Sequence, residues 1–371
     1  MKRYVCLLLA LLSLLLCGCG AQETPSAAAQ PVGHMELEYA ERFSVDYYPD
    51  DAAVVTLGED DRYLLLHPDA AAPQGLEALP VIRYPVERAY LASSAVPDLF
   101  QQMDALDTVA FTGTARSDWK LPAVCEAMDA GAIRYAGKYS APDYELLLES
   151  QTDLIVENTM IFHTPEVLEK LQTLGLPVIV EYSSYEPHPL GRVEWIKLYG
   201  LLTGHLDEAE AFFEQQTALV RKIPEADTGR TAAFFHITPN GAVVVRRQAD
   251  YIPRMMELAG GSYALTELPE SETALSTVTI QMESFYAQAK DADVLIYNST
   301  VAGELNDLDD LLALSPLFAE FRAVQNGAVW CTEQSMYQRS SAAAGIIADL
   351  YRIFSGEADG TDQLEYLHRL K

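Results

Sequence analysis

The chain has 371 residues, enough for about two domains of ordinary size, and its 25 Lys and Arg against 54 Asp and Glu give a net charge of −29. A protein that binds nucleic acid must neutralise phosphates with clustered cations, so this balance argues against a nucleic-acid partner. Hydrophobic residues are 49% of the chain and charged residues 21%, which is typical of globular domains with sizeable cores rather than of a disordered chain.

The first residues predict a secretory signal. A positive start, Lys2-Arg3, precedes an almost unbroken apolar run over 5–16, which is too short and wrongly flanked for a permanent membrane helix. The run ends in Leu16-Cys17-Gly18-Cys19, which looks like the site at which lipoproteins are cleaved and acylated. We expect a signal peptide over 1–18 and lipidation at Cys19; an ordinary cleaved signal with incidental cysteines is the alternative.

A short segment without periodicity follows. Residues 19–36 are mostly small and polar, which predicts a flexible tether between the membrane and the folded body. A diacylglycerol-type anchor buries two acyl chains, which is enough for stable attachment. We therefore expect a protein attached by lipid to the extracytoplasmic face of the cell membrane.

The next part of the chain alternates strand and helix patterns. Runs at 43–48, 53–57 and 62–67, separated by turn residues, predict antiparallel strands. Further strand patterns lie at 87–94, 108–113, 153–159 and 176–184, between helix patterns at 96–106, 142–150 and 164–175. This alternation predicts a parallel sheet covered by helices, and we assign 37–192 to an N-terminal α/β lobe.

Helical spacing then continues from 193 to 223, with a pause at 200–207 that predicts two helices or one kinked helix. We assign 193–224 to a linking helix and 225–371 to a C-terminal α/β lobe. That lobe has strand patterns at 230–237, 242–246, 293–298 and 327–332, and helix patterns at 251–261, 279–290 and 340–354. The predicted fold class is α/β, with two Rossmann-like lobes joined by a long α-helix and a ligand cleft between the lobes.

Three passages carry a resemblance to a known family. They are YELLLESQTDLIVENT (144–159), EWIKLYGLLTGHLDEAEAFFEQQ (194–216), and LAGGSYALTE (258–267) followed by TIQMESFYAQAKDADVLIYNST (279–300). In this order, and after a lipoprotein-like signal, they resemble the lipid-anchored substrate-binding proteins of ABC importers for iron complexes and cobalamin. That resemblance implies two lobes joined by a rigid long helix, and a monomer that works with a permease dimer and its ATPase.

The resemblance also implies one surface glutamate on each lobe that meets arginine patches on the permease. The match in the first lobe is Glu145, eight residues before Asp153, and the match in the second lobe is Glu283. The second match departs from the pattern, because eight residues after Glu283 is Asp291, whereas the strand opens at Asp293. A carboxylate suits this role because it pairs bidentately with arginine; the alternative is a solvated glutamate on a helix face.

The candidate ligand contacts follow from the predicted sheets, because ligands of open parallel sheets bind beyond the carboxyl ends of the strands. The loops there combine tyrosines with arginines and histidines, which suits a bulky, partly apolar, anionic complex. The candidates are Arg116, His163, Tyr185, His188, Arg192, Arg246, Arg247, Tyr297, Tyr337 and Arg339. For each single arginine, and for the histidines, a structural or surface role is the alternative.

We expect the ligand to be a ferric siderophore, with no intrinsic cofactor, because arginine holds an anionic iron complex without losing its proton. Cobalamin and haem remain alternatives, and Tyr182, Tyr185 or His188 could supply an axial ligand to haem. Direct capture of zinc or manganese needs converging His and carboxylate ligands, and the seven dispersed histidines disfavour it. The usual hydrolase, metalloprotease and nucleotide-binding motifs do not occur in the sequence, so an enzyme is disfavoured.

Overall fold

The computed structural model describes residues 28–225, 227–268 and 276–371. The predicted signal peptide and the lipidation site at Cys19 lie outside these residues. The described part has the predicted α/β class, with sheets flanked by helices in both lobes. None of its helices is long and apolar enough to cross a membrane.

An antiparallel sheet precedes the first lobe. Its strands are β1 (Gly33–His34), β2 (Phe43–Tyr47), β3 (Ala53–Leu57), β4 (Asp61–Leu66) and β5 (Val81–Arg83). They lie in chain order, and only the β4–β5 pair is parallel. The three antiparallel strands predicted from sequence are therefore confirmed as β2, β3 and β4. At the end of the turn between β3 and β4, Asp61 accepts a hydrogen bond from the Tyr182 hydroxyl, just after β12 of the first lobe.

The first lobe is built on a parallel sheet. Its elements are β6 (Ala89–Leu91), α1 (Val96–Gln102), β7 (Val109–Thr112), α2 (Pro122–Asp129), β8 (Arg134–Tyr135), β9 (Gly137–Lys138), β10 (Ala141–Pro142), α3 (Tyr144–Glu149), β11 (Leu154–Asn158), α4 (Pro165–Thr173) and β12 (Val178–Glu181). The strand order is β12-β11-β6-β7-β8, with every pair parallel. The carboxyl ends of these strands therefore share one edge, as the alternating sequence pattern predicts.

Two helices connect the lobes, α5 (Pro189–Thr203) and α6 (Leu206–Arg221). They are separated at Gly204, which has a φ of +78° and so ends α5 in the left-handed conformation that favours glycine. A Cβ on Gly200 would lie 2.6 Å from the Cβ of Ala209, so glycine permits α6 to fold back closely on α5. Of the two forms the sequence allowed, the structure has two helices.

The second lobe is built on a mixed sheet. Its elements are β13 (Thr231–Ile237), β14 (Val243–Arg246), α7 (Tyr251–Leu258), β15 (Ser262–Tyr263), β16 (Thr277–Ile280), α8 (Met282–Ala289), β17 (Val294–Tyr297), α9 (Ser299–Ala302), α10 (Leu308–Leu314), α11 (Arg322–Gln325), β18 (Val329–Thr332), α12 (Ala343–Ser355) and β19 (Leu367–Arg369). The order is β16-β14-β13-β17-β18-β19, with β15 beside β13. β13, β17 and β18 run parallel to one another. β14 is antiparallel to β13, β16 is antiparallel to β14, and β19 is antiparallel to β18.

Two sequence-based expectations for this lobe are corrected. The predicted helix at 279–290 begins only at Met282, because the β-branched run Thr277–Ile280 pairs with β14 as a strand. β14 itself is antiparallel to β13, so its carboxyl end lies at the opposite edge of the sheet from those of β13 and β17. The carboxyl-end argument that selected Arg246 and Arg247 therefore does not apply to this strand.

A continuous core joins the two lobes through the connecting helices. Trp195 and Tyr199 on α5 are fully buried, and Trp195 packs on Phe43 of the antiparallel sheet with ring centroids 5.0 Å apart. Because α5 is buried around most of its circumference, it is covered on several sides by other elements. The lobes are thus attached to each other by packing as well as by the chain.

Candidate functional site

A pocket opens between the lobes, where the start of α5 faces α7 and the loop before α12. The empty space at this place, with the open solvent at its mouth included, is about 340 Å³, and little of it is enclosed. A bulky ligand would therefore also contact the surface around the mouth. Its wall includes Arg192, Tyr251, Met255, Met336, Tyr337 and Arg339.

Arg192 connects the two sides of this pocket. It lies in the first turn of α5, and its Nη1 donates to the carbonyl oxygen of Ser184 at 3.3 Å. Its guanidinium carbon lies 4.0 Å from the centroid of the Tyr251 ring in the second lobe, within cation–π distance. Among the described residues, no carboxylate lies within ion-pair distance of Arg192. It is therefore the cation in the wall best placed to meet an anion.

Tyr337 and Arg246 form a polar network on the second-lobe side. The Arg246 guanidinium pairs with Asp250 at 3.3 Å and donates to the Tyr337 hydroxyl. The Asn298 side-chain amide donates to the same phenol oxygen at 2.8 Å. Arg246 is only 9% exposed, so it holds Tyr337 in place and does not itself line the pocket.

Arg339 reaches the pocket but is partly neutralised. Its Nη1 lies 3.2 Å from a carboxylate oxygen of Glu333, and its guanidinium stacks over the ring of Tyr366 at 4.8 Å. Of the candidate arginines near the pocket, Arg246 and Arg339 thus have a carboxylate partner. The pocket is consequently less cationic than the sequence alone indicates.

The loop that supplies Tyr337 and Arg339 also contacts the first lobe. The Gln338 side chain donates to the carbonyl oxygen of Asp118 at 2.9 Å and accepts from the backbone N–H of Lys120 at 2.8 Å. The backbone N–H of Ser341 donates to Asp98 at 2.7 Å, and burial raises the pKa of that carboxyl. The lobes therefore touch directly beside the pocket.

Four other predicted contacts do not line the pocket. Arg116 is exposed and makes a bidentate pair with Asp129, at 2.7 and 2.8 Å. His163 is exposed in the turn at 159–163, and Arg247 is half-buried just after β14. Tyr297 is 1% exposed in β17, edge-on to Phe235. The buried position of Tyr297 does not fit the predicted ligand contact.

His188 has a structural role in the fold. Its Nδ1 accepts from the backbone N–H of Leu190 at 3.2 Å and so caps the start of α5, while its ring stacks on Tyr39 at 4.4 Å. Burial, and secondarily the charge of Arg254, lowers the pKa of His188 to about 4. The neutral ring is thus engaged as a helix cap, which does not fit the predicted ligand contact.

Tyr185 belongs to an exposed aromatic surface beside Arg192. Tyr185 is 44% exposed and Phe162 46%, and their rings lie 6.2 and 6.0 Å from the half-buried ring of Tyr182. Sequence reasoning selected Tyr185 and the loop at 158–163 without singling out Phe162, and it missed Tyr251 because that residue is part of a helix pattern. An apolar side chain directly after a predicted strand was the available signal for Phe162.

The predicted docking glutamates occupy equivalent places in the two lobes. Glu145 and Glu283 are both exposed, and each is the second residue of its helix, α3 and α8. Asp153 accepts from the backbone N–H groups of residues 87 and 88, and Asp293 accepts from that of Thr231 at 2.9 Å. Each aspartate thus joins its strand to the neighbouring parallel strand, although its distance from the glutamate in sequence differs.

The described residues contain no cluster of three or more His, Cys, Asp or Glu side chains that could hold a metal ion. The groups that converge at the pocket are instead guanidinium groups, phenol rings and thioethers. Such a lining can hold a preassembled molecule by stacking, hydrogen bonds and charge.

A cleft of this kind, between two α/β lobes joined by buried helices, defines the class of two-lobed binding proteins. Residues 89–335 match the model of the periplasmic binding protein family, and the chain belongs to that family. Proteins of this family bind substrates for transport, so the chain is a binding protein of an ABC importer and not an enzyme.

The chain is also similar to other proteins, to relatives in sequence and to solved structures in fold. The chain is 25% identical over 366 residues to an uncharacterised lipoprotein of Methanocaldococcus jannaschii, covering 94% of this chain and 90% of the relative. Its fold is similar to that of a periplasmic haem-binding protein from Pseudomonas aeruginosa, with a TM-score of 0.59, 15% identity, and coverage of 77% and 98%. It is also similar to an ABC-type Fe³⁺-hydroxamate transport protein from Saccharomonospora viridis, with a TM-score of 0.55, 19% identity, and coverage of 73% and 93%.

Proposed function

We propose that the protein captures a ferric siderophore outside the cytoplasmic membrane and delivers it to an ABC-type permease. The observation that carries this proposal is Arg192, whose guanidinium lies over Tyr251 in the interlobe pocket, with no carboxylate within ion-pair distance among the described residues. A ferric catecholate or carboxylate complex is anionic and bulky. Arginine binds such a complex with fixed charge, and aromatic rings cover its apolar parts.

Haem is the second candidate ligand, and one observation favours it. Tyr337 lines the pocket, and its phenol oxygen is held in place by hydrogen bonds from Arg246 and Asn298. Such an oxygen could bind an iron centre in a flat macrocycle. Cobalamin would use mainly apolar contacts, so the charge of Arg192 gives it less support.

Delivery would use the two exposed glutamates and the lipid anchor. Glu145 and Glu283 lie on different lobes, exposed and without an ion-pair partner among the residues that the structure describes, so each is available to an arginine of a permease subunit. The relatives named as lipoproteins support acylation of Cys19. We propose a monomer held at the membrane by that lipid, close to the permease dimer and its ATPase.

A thermal-shift panel tests the ligand class. The probes are ferric enterobactin, ferric citrate, ferrioxamine B, haemin, cyanocobalamin and zinc. A ligand present at 100 times its Kd stabilises the folded state by about 2.7 kcal/mol, so a ferric siderophore should raise the Tm measurably. Arg192→Ala should weaken that response, and Arg134→Ala, an exposed arginine outside the pocket wall, should leave it unchanged. Stabilisation by cobalamin or zinc, without a response to any iron complex, would overturn the proposal.

A further inference from the structure

An exposed aromatic surface lies outside the pocket on the first lobe. We call it the aromatic shelf and define it by Met160, Phe162, Tyr182 and Tyr185. Met160, Phe162 and Tyr185 are 48%, 46% and 44% exposed. They follow β11 and β12, so they lie at the carboxyl edge of the parallel sheet. An apolar surface of this kind in a soluble domain marks a place that contacts another molecule.

An acidic turn from a different part of the chain borders the shelf. The turn joins β3 to β4, and together with the first residue of β4 it carries three consecutive exposed acids, Glu59, Asp60 and Asp61. The Tyr182 hydroxyl donates to Asp61 at 3.2 Å. Gly58 has a φ of +63°, and a Cβ there would lie 2.9 Å from the Tyr182 ring, so this glycine permits the turn to sit directly against the shelf. The turn lies outside the region 89–335 that matches the family.

The shelf is continuous with the interlobe pocket. The residue before Tyr185 is Ser184, whose carbonyl oxygen accepts from Arg192 at the pocket wall. A molecule that is too large for the pocket would therefore extend over the shelf toward the acidic turn. Along this path the charge changes from the guanidinium of Arg192 to the carboxylates of the turn.

We propose that the ferric complex carried by this protein bears a cationic group, which the aromatic shelf and the acidic turn hold while the rest of the complex occupies the pocket. Aromatic faces attract a cation through the ring quadrupole, and a neighbouring carboxylate adds to that attraction. The same carboxylates disfavour a complex whose outer part is anionic. The inference rests on the proposed function, since it specifies the chemistry of the ligand at the same site.

The test uses two probes that differ only in this charge. Ferrioxamine B ends in a free ammonium group, and its N-acetyl derivative has the same iron centre without the charge. By calorimetry, the wild-type protein should bind ferrioxamine B about tenfold more tightly than the acetylated complex, the range of one cation–π contact supported by carboxylates. The variant E59Q/D60N/D61N should reduce that ratio to within about twofold. The amide that replaces the Asp61 carboxylate in this variant still offers an acceptor to the Tyr182 hydroxyl.

Two further variants separate local from general effects. E169Q/E320Q/E357Q removes three exposed acids elsewhere and should keep the ratio, because a long-range field is screened by salt. Phe162→Leu should lower the ratio in part without changing any charge. Equal affinity for the two probes in the wild-type protein, or a ratio unchanged by E59Q/D60N/D61N, would overturn the inference.

The outcomes also distinguish this inference from the proposed function. Binding of ferric enterobactin without binding of either ferrioxamine would keep the siderophore function and overturn the cationic ligand. Absence of binding to any of the three ferric complexes would overturn both.

Discussion

The two lobes contain the same helix–strand unit. The strand segments read DLIVENTM from Asp153 and DVLIYNST from Asp293. In each, the aspartate bonds to the neighbouring parallel strand, the next residues are buried, and an asparagine side chain then accepts from the backbone N–H two residues on. The shared parts position a helix whose second residue is an exposed glutamate, which suggests that each lobe presents that glutamate in the same way.

The units differ at the fourth residue of the strand. In the second lobe this is Tyr297, whose ring packs on Phe235 in the core. In the first lobe it is Glu157, which is fully buried and has no hydrogen-bond partner for either carboxylate oxygen. The Tyr90 and Tyr144 phenols lie near enough to interact with its charge. The two units thus have the same aspartate and asparagine at the ends of the strand, whereas the buried residue inside the sheet is an aromatic ring in one lobe and a carboxyl group in the other.

The largest expected effect concerns the exposed end of the unit. Charge reversal at Glu145→Lys or Glu283→Lys should abolish uptake through the cognate permease, because each lysine would face an arginine patch. Calorimetric binding of the ferric complex should stay unchanged, since neither residue lines the pocket. The measurement pairs iron uptake into proteoliposomes with calorimetry.

Glu169→Lys and Glu320→Lys provide the matched controls, because both glutamates are exposed elsewhere on the two lobes. These variants should transport normally. If only one of Glu145 and Glu283 affects uptake, the two units are not functionally equivalent, and if either variant loses ligand binding, that residue does not act in docking.

The next effect concerns the aspartates. Asp153→Ala removes the acceptor of the exposed backbone N–H groups of Glu87 and Arg88, and because water can replace it, the loss should cost about 0.5–1.5 kcal/mol. Asp293→Ala should cost more, because Asp293 also pairs with Arg322 at 3.0 Å and accepts from the Thr231 hydroxyl. Urea unfolding measures both, with Asp69→Ala as the exposed control. A cost near zero for either variant would show that its aspartate does not hold the strands together.

The third effect concerns Glu157 and depends on pH. Burial raises the pKa of Glu157 to about 8, whereas in the unfolded chain it is near the ordinary value of about 4.3. Between these values the folded protein retains a proton that the unfolded chain has lost, so stability falls as pH rises, by at most about 1.4 kcal/mol per pH unit. Glu157→Gln should flatten this dependence of the free energy of unfolding. An identical pH profile in both proteins would mean that Glu157 ionises normally in the fold.

Much of the fold could be predicted from local sequence. Pro165 and Gly175 bracket α4, and apolar runs such as Leu154–Val156 indicate buried strands, because these signals depend on neighbouring residues alone. The predicted start of α8 was wrong, because Thr277–Ile280 forms a strand by pairing with β14, which is distant in sequence. Local pattern therefore identifies elements better than it places their ends.

The site was less predictable, because its contacts join distant residues. Tyr182 meets Asp61 across 121 positions of sequence, and Arg192 meets Tyr251 only after the lobes pack together. His188 has the residue type of a ligand contact, but its nitrogen caps α5. Residue type after a strand could thus suggest Arg192, Tyr337 and Arg339, but it could not separate them from Arg116 or Tyr297.

If an iron complex binds between the lobes, its iron atom must lie there, so the position of the iron decides the matter. Crystals grown with a ferric siderophore, measured at the iron absorption edge, would give an anomalous-difference map. We predict one strong peak at the interlobe pocket, beside Arg192 and Tyr337. A peak elsewhere on the molecule, or none in crystals grown with a saturating ferric complex, would rule out binding between the lobes.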